Sequence, residues 1–331
     1  MQVSRALFTS LLLFQLTASS PTSSIPSSLQ ERSDTPLTTR ENTFNISLGS
    51  NNKAVYEVSF ELNIDRPLKS DLLYQTLGLA FEVAYAESHS HRGVWDFPSP
   101  FGVRLHIQPI VVPWMDRFEL SSILEGIALA QVNARGLGQA EFAEGHGVLY
   151  KDRLAFASIT VSSSDTSRIV IKRDAQIISP EAKPTIDTDP NGPVLPMERD
   201  PPPSDDPNTL TTQSNEYKIR TRVGNVLDQA TEDDIMLTLI HSLQLCINEP
   251  KVFLPSFQYH DPTRLIQVML RPSNEATSLV QGMIVATLNA IIQREYEIKD
   301  WRLGGKWKEL DVWVAFNDQQ VAWGGLRFWP T

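Results

Sequence analysis

The chain has one cysteine, Cys246, in 331 residues, so no intrachain disulfide holds it together. It has no run of about twenty apolar residues, the length a helix needs to cross roughly 30 Å of hydrocarbon. It has no cationic excess. The 29 Lys and Arg stand against 39 Asp and Glu, a net charge of −10, which argues against a general nucleic-acid binder. G-x-S-x-G, H-E-x-x-H, P-loop and dinucleotide fingerprints are all missing, so no catalytic motif and no cofactor is signalled. What remains is ordinary globular usage, 41% hydrophobic and 21% charged, which excludes a collagen-like, coiled-coil or wholly disordered chain.

The N-terminus reads as a secretory signal over residues 1–20. Arg5 supplies the basic start, Ala6 to Leu16 the apolar stretch, and Thr17, Ala18, Ser19 and Ser20 the small residues around a cleavage point. A Ser/Thr/Pro-rich leader follows over 21–50, too poor in apolar area to offset its ordering entropy. Asn45-Ile46-Ser47 is a glycosylation sequon within it. A second low-complexity stretch, 172–214, holds nine of the 22 prolines, with four basic and eight acidic residues. It predicts an extended spacer. Lys172-Arg173 opens it as a dibasic pair of the kind kexin-type proteases cut. The expectation is therefore a secreted, extracellular glycoprotein with two domains, 51–171 and 215–331, about the number the length suggests.

The two blocks resemble each other. Ser122–Ala134 (SILEGIALAQVNA) sets onto Ser278–Ala290 (SLVQGMIVATLNA) at a shift of 156, matching Gly126 with Gly282 and Asn133 with Asn289. Upstream, Asp71 and Leu77 meet Asp233 and Leu239 at a shift of 162. Downstream, Tyr150 and Phe156 meet Trp307 and Trp313 at 157. Within each block a strand alternating apolar and polar residues (Tyr56 to Ile64; Tyr217 to Val223) precedes a helix capped by Ser70 or Thr231. A hairpin, a second helix and closing strands follow. That order, β-α-β-β-α-β with an extra terminal strand, predicts an α+β fold: a tandem duplication of a ferredoxin-like two-layer sandwich, two sheets side by side.

Candidate chemistry is sparse. His89-Ser90-His91, near Glu87 and Asp96, has a zinc-compatible spacing, but no third ligand is assignable and the pair reads as a solvated loop. His241 and His260 have no evident partner. Cys246 lies in an apolar helix and reads as a small core residue. Five of the seven tryptophans fall in the last 31 residues; they suggest either core packing or a stacking platform for a cell-wall sugar. The first strands differ in charge: Glu57 and Glu61 in the first block, Lys218, Arg220 and Arg222 in the second. These five residues form the expected interaction surface, two charged faces that recognise complementary charge in the same or another molecule.

The layout of signal, leader, domain, dibasic pair, spacer and related domain looks like that of secreted proteins of filamentous fungi. In layout only, it resembles the fungal killer-toxin precursors, whose paired chains are α/β sandwiches. Those are rich in disulfides and this chain is not, so no toxin activity is carried over. The expected function is a secreted, non-enzymatic interaction protein, of the effector or cell-surface kind, with a protein or a cell-wall polysaccharide as partner. The alternatives are a secreted hydrolase with an unrecognised site and a carbohydrate-binding module using the C-terminal tryptophans.

Overall fold

The computed structural model describes residues 43–51, 54–86, 93–111, 115–139, 141–164, 209–214, 217–227, 230–249, 252–261, 263–274, 278–301 and 306–329. The signal segment and the dibasic pair Lys172-Arg173 lie outside them, as do His89 and His91. The fold is mixed α+β, with two six-stranded antiparallel sheets and four helices.

The first half runs β1 (Thr43–Asn51), β2 (Ala54–Leu68), α1 (Ser70–Ala86), β3 (Trp95–Pro98), β4 (Val103–Pro109), α2 (Arg117–Gly136), β5 (Phe142–Lys151) and β6 (Leu154–Ser163). The second runs β7 (Thr209–Ser214), β8 (Tyr217–Val226), α3 (Glu232–Asn248), β9 (Phe253–Leu254), β10 (Phe257–Asp261), β11 (Ile266–Pro272), β12 (Leu279–Val280), α4 (Gln281–Trp301), β13 (Lys308–Phe316) and β14 (Gln319–Phe328). Strand order is β1-β2-β5-β6-β4-β3 in sheet one and β7-β8-β13-β14-β11-β10 in sheet two. Apart from the short β9–β12 pair, the halves share one order. It differs from the expected split β-α-β arrangement: β5, β6 and β4 all lie between β2 and β3, where a single strand was expected. Two boundaries also move. Residues 43–51, expected at the end of the leader, form an edge strand on β2, and 209–214, expected in the spacer, form one on β8.

The helices form where local signals are consistent. Asp116 caps α2 by accepting from the Phe118 and Glu119 amides, and Glu119 reaches back to the Asp116 amide at 2.7 Å. Thr231 and Asp234 do the same for α3. Helices α1 and α3 have the same length, and each buried position of α1 recurs in α3 at the shift of 162, from Leu73 and Ile235 to Ala84 and Cys246. The later elements correct the alignment read from sequence. Helices α2 and α4 begin at 117 and 281, and the final hairpins turn through left-handed pairs at Asp152-Arg153 and Asn317-Asp318. These offsets are eight residues longer than the sequence match. Eight residues are about two helical turns, so a small-residue stripe superimposes almost as well in the wrong register. Gly126 and Gly282 are thus not equivalents, and Trp307 and Trp313 do not stand where Tyr150 and Phe156 do.

The halves do not lie side by side. Helices α1 and α2 cover sheet one, α3 and α4 cover sheet two, and the helices pack on each other, α1 on α4 and α2 on α3. The order of layers is sheet, helices, helices, sheet, and one hydrophobic core runs from Ile46 to Leu326 through both halves. Each buried Leu, Ile, Val or Phe contributes about 1.5–3 kcal/mol, and the inner helix faces obtain this only from the opposite half.

Gly126 marks a close approach of α2 to its sheet: a Cβ there would meet Val58 Cγ2 at 2.6 Å. A β-branched valine in a strand cannot swing aside cheaply. Gly126→Ala is expected to lose about 1–2 kcal/mol in urea unfolding, the overpacking cost exceeding the helix-propensity gain. Gly136→Ala, with nothing within 4 Å of its added carbon, is expected to change little; equal effects would remove the close-contact account.

Candidate functional site

The layer order leaves two sheet faces pointing outward, on opposite sides of the molecule. On sheet one, alternate residues of β2 turn Tyr56, Val58, Phe60 and Leu62 to the helices and leave Glu57 and Glu61 exposed. The register aligns one transverse row over five strands: Glu61, His146, Thr160, His106 and Asp96. His146 Nε2 lies 3.2 Å from a Glu61 oxygen, and His106 Nδ1 lies 3.6 Å from Asp96. Arg104 Nε donates to Asp96 at 2.7 Å; this bond, more than any other contact, holds the Asp96 carboxyl below its ordinary value. Asn45, on edge strand β1, is exposed.

The outward face of sheet two is cationic and aromatic. Lys218, Arg220 and Arg222 alternate along β8. Register places Arg220, Trp313, Trp323 and Arg271 in one row across β8, β13, β14 and β11. Arg222 donates to Asp311 at 2.7 Å, and Arg327 pairs with the same carboxylate. Glu57 and Glu61 point outward on one sheet and Lys218, Arg220 and Arg222 on the other; two helix layers separate these faces, so the two sets cannot meet within one molecule. Complementary recognition between these faces is restricted to separate molecules.

Between the sheets, polar groups cross the seam of the two halves. Ser70 Oγ donates across it to Glu232 at 2.8 Å, and the Tyr296 hydroxyl, from the same half as Glu232, donates to that carboxylate at 2.9 Å. The Tyr74 hydroxyl and Arg135 donate to Asp233 at 3.0 and 2.8 Å. Glu232 and Asp233 lie in the first turn of α3 and Arg135 in the last turn of α2, each where the helix dipole favours its charge. Burial, then the facing carboxylates, pushes both phenols well above their ordinary range, so they stay protonated donors. His241, left without a partner in the sequence, meets Glu125 at 2.6 Å across the α2–α3 contact. Tyr74, Tyr296 and Glu125 are all buried in this seam. It is a clasp between halves.

Other expected sites resolve plainly. Cys246 is buried, and burial pushes its thiol up to about 12, so it is the core residue the sequence suggested. No group of three potential metal ligands occurs among the described residues. Trp307 packs edge-on against Tyr296 inside the molecule, whereas Trp313 is on the outward side of sheet two and 2% exposed. The two do not share a platform.

Glu295 is the buried charge that sequence patterning concealed. In the first half, Gln131 of α2 clasps β5 by exchanging two hydrogen bonds with the Ala143 backbone, at 2.7 and 2.9 Å. At the corresponding place in the second half, Glu295 Oε2 accepts from the Lys308 amide at 3.4 Å and Oε1 has no partner. Burial pushes this carboxyl up to about 8, against the smaller opposing pull of the Lys308 amide, Arg294 and the Lys308 charge. Glu295 thus stands in the place of Gln131 but makes one backbone bond where Gln131 makes two. Comparison with protein-family models, curated proteins and solved structures yields no match.

Because the folded state binds this proton more tightly than the unfolded chain, its contribution is fully present below about pH 4.5 and is lost as pH rises toward about 8. Glu295→Gln is expected to remove that loss, so its melting temperature exceeds the parent's by a margin that widens from pH 5 to 8. Parallel melting curves across this range would refute the assignment.

Proposed function

We propose that the chain is a secreted, non-enzymatic interaction protein, formed by tandem duplication of one β-β-α-β-β-α-β-β unit, and that it binds a cationic partner through the outward face of sheet one. The observation that carries this reading is the exposed row Glu61–His146–Thr160–His106–Asp96, flanked by Glu57 on the same face. A wide face that donates and accepts hydrogen bonds over several strands suits a macromolecular surface better than a small substrate, which needs a concave site. Secretion rests on Arg5 and the Ala6–Leu16 stretch, and glycosylation on the exposure of Asn45. The identical strand order of the halves supports duplication.

Charge reversal tests the binding face. At about 0.15 M salt, where the Debye length is about 8 Å, Glu57→Lys with Glu61→Lys is expected to weaken binding to immobilised chitosan or poly-lysine about tenfold, as two exposed charge contacts allow. The control pair Glu297→Lys with Asp318→Lys changes net charge equally at exposed sites elsewhere and is expected to cost much less. Equal losses in the two pairs would reduce the attraction to bulk charge and discard the face.

Processing at Lys172-Arg173 belongs to the same reading. Because both halves contribute to one core, cutting there is expected to leave them together. After kexin-type digestion, native size-exclusion chromatography should give one peak and denaturing mass spectrometry two chains. An uncut chain, or halves that elute separately, would contradict this expectation.

A further inference from the structure

The two outward faces differ in a way their strand order does not explain. At the centre of sheet one, the His146 side chain is 69% exposed. At the centre of sheet two, Glu309, Asp311 and Trp313 are 4%, 4% and 2% exposed. They point away from the helices: Leu310, Val312 and Val314 are the residues of β13 that join the shared core, and Trp313 does not. Neighbouring strands flank these side chains at the edges only.

The chemistry of this face defines what suits it. The Arg220–Trp313–Trp323–Arg271 row puts two indoles at the sheet centre with a guanidinium at each end. Arg222 lies 5.4 Å from the Trp313 ring centre and Arg271 lies 5.9 Å from that of Trp323. Beside the row, Asp311 and Met269 are separated by Gly325, which leaves a strip without a side chain next to the indoles. Arg220, Arg222, Arg271 and Arg327 thus border an aromatic strip whose acidic residues are Glu309 and Asp311. Arg222 and Arg327 pair with Asp311, and the cationic border as a whole would attract a peptide bearing several carboxylates, while proline rings would find aromatic faces.

The chain carries such a peptide. Residues 197–208 read MERDPPPSDDPN, with Glu198, Asp200, Asp205 and Asp206 around Pro201-Pro202-Pro203. This run ends directly on β7, whose Thr209 is the register partner of Arg222. Asp205 and Asp206 are three or four residues from Thr209, a span of at most about 14 Å of chain, which is short enough for them to reach Arg220 and Arg222. Consecutive prolines hold an extended helix before any contact is made, which lowers the entropy lost on docking.

We infer that the outward face of sheet two is a docking site for the chain's own acidic, proline-bearing segment 197–208, its prolines against Trp313 and Trp323 and its carboxylates against the bordering arginines. The basic face is then used within the molecule, and a competing acidic, proline-containing ligand must displace this segment to reach it. The inference is independent of partner binding at sheet one.

Hydroxyl-radical footprinting of the full chain, read residue by residue by mass spectrometry, tests it. In the parent protein Trp313 should be as protected as Trp95, which is buried in the core. Asp205→Arg with Asp206→Arg should raise Trp313 and Trp323 oxidation several-fold while Trp95 stays protected, so that unfolding is excluded. Asp187→Arg with Asp189→Arg, the same charge change farther upstream, should leave all three unchanged. Continued protection of Trp313 in the first variant, or equal exposure in both, would overturn the proposal.

Discussion

The structure depends on helices buried from both sides. In a two-layer sandwich a helix needs one apolar stripe, and its far side can be polar. Here α1 and α4, and α2 and α3, present apolar residues to a sheet and to another helix at once. Ile240, Leu243, Ile247, Leu288, Ile291 and Ile292 are all buried, leaving little of α3 and α4 in water. Such a half exposes too much apolar surface to remain alone in solution. The opposite half is therefore a requirement of the fold, and the outward sheet faces, relieved of that task, are free to be polar.

The seam also carries polar information. Tyr74, Arg135, Ser70 and His241 each find an acidic partner in the other half, and Tyr296 joins one of those acids, Glu232, from within its own. Removing one member of such a buried group leaves its partner short of a bond, at a cost of about 1–3 kcal/mol. Apolar contact alone tolerates sliding of one helix on another; these bonds fix the register. Gln131 and Glu295 act similarly within each half, tying a helix to the first turn of the following strand.

Much of this was legible in the residues. The alternation at Tyr56–Leu62 gave the inward face of β2, and the Thr231–Asp234 box located the start of α3. Both signals are local, set by neighbours two to four residues away. The charge of the outward faces was legible for the same reason. The helix-on-helix layer was not, because a stripe buried against a helix looks the same in sequence as one buried against a sheet. The partners of His241 and Glu295 were hidden because they depend on that layer. The eight-residue slip in the second helix has a periodic cause: glycines and alanines spaced by four repeat along a helix and score well in more than one register.

Ser70 and Glu232 occupy corresponding positions, 162 residues apart, and bond to each other at 2.8 Å. Corresponding residues touch where a pseudo-two-fold axis passes between two copies. Two identical subunits can bring only like to like at such a point: serine against serine, or two glutamates that repel. Pairing a donor with an acceptor across the axis requires that the copies differ, and a single polypeptide encoding both allows each to change separately. The contact is open to a fused pair and closed to a homodimer.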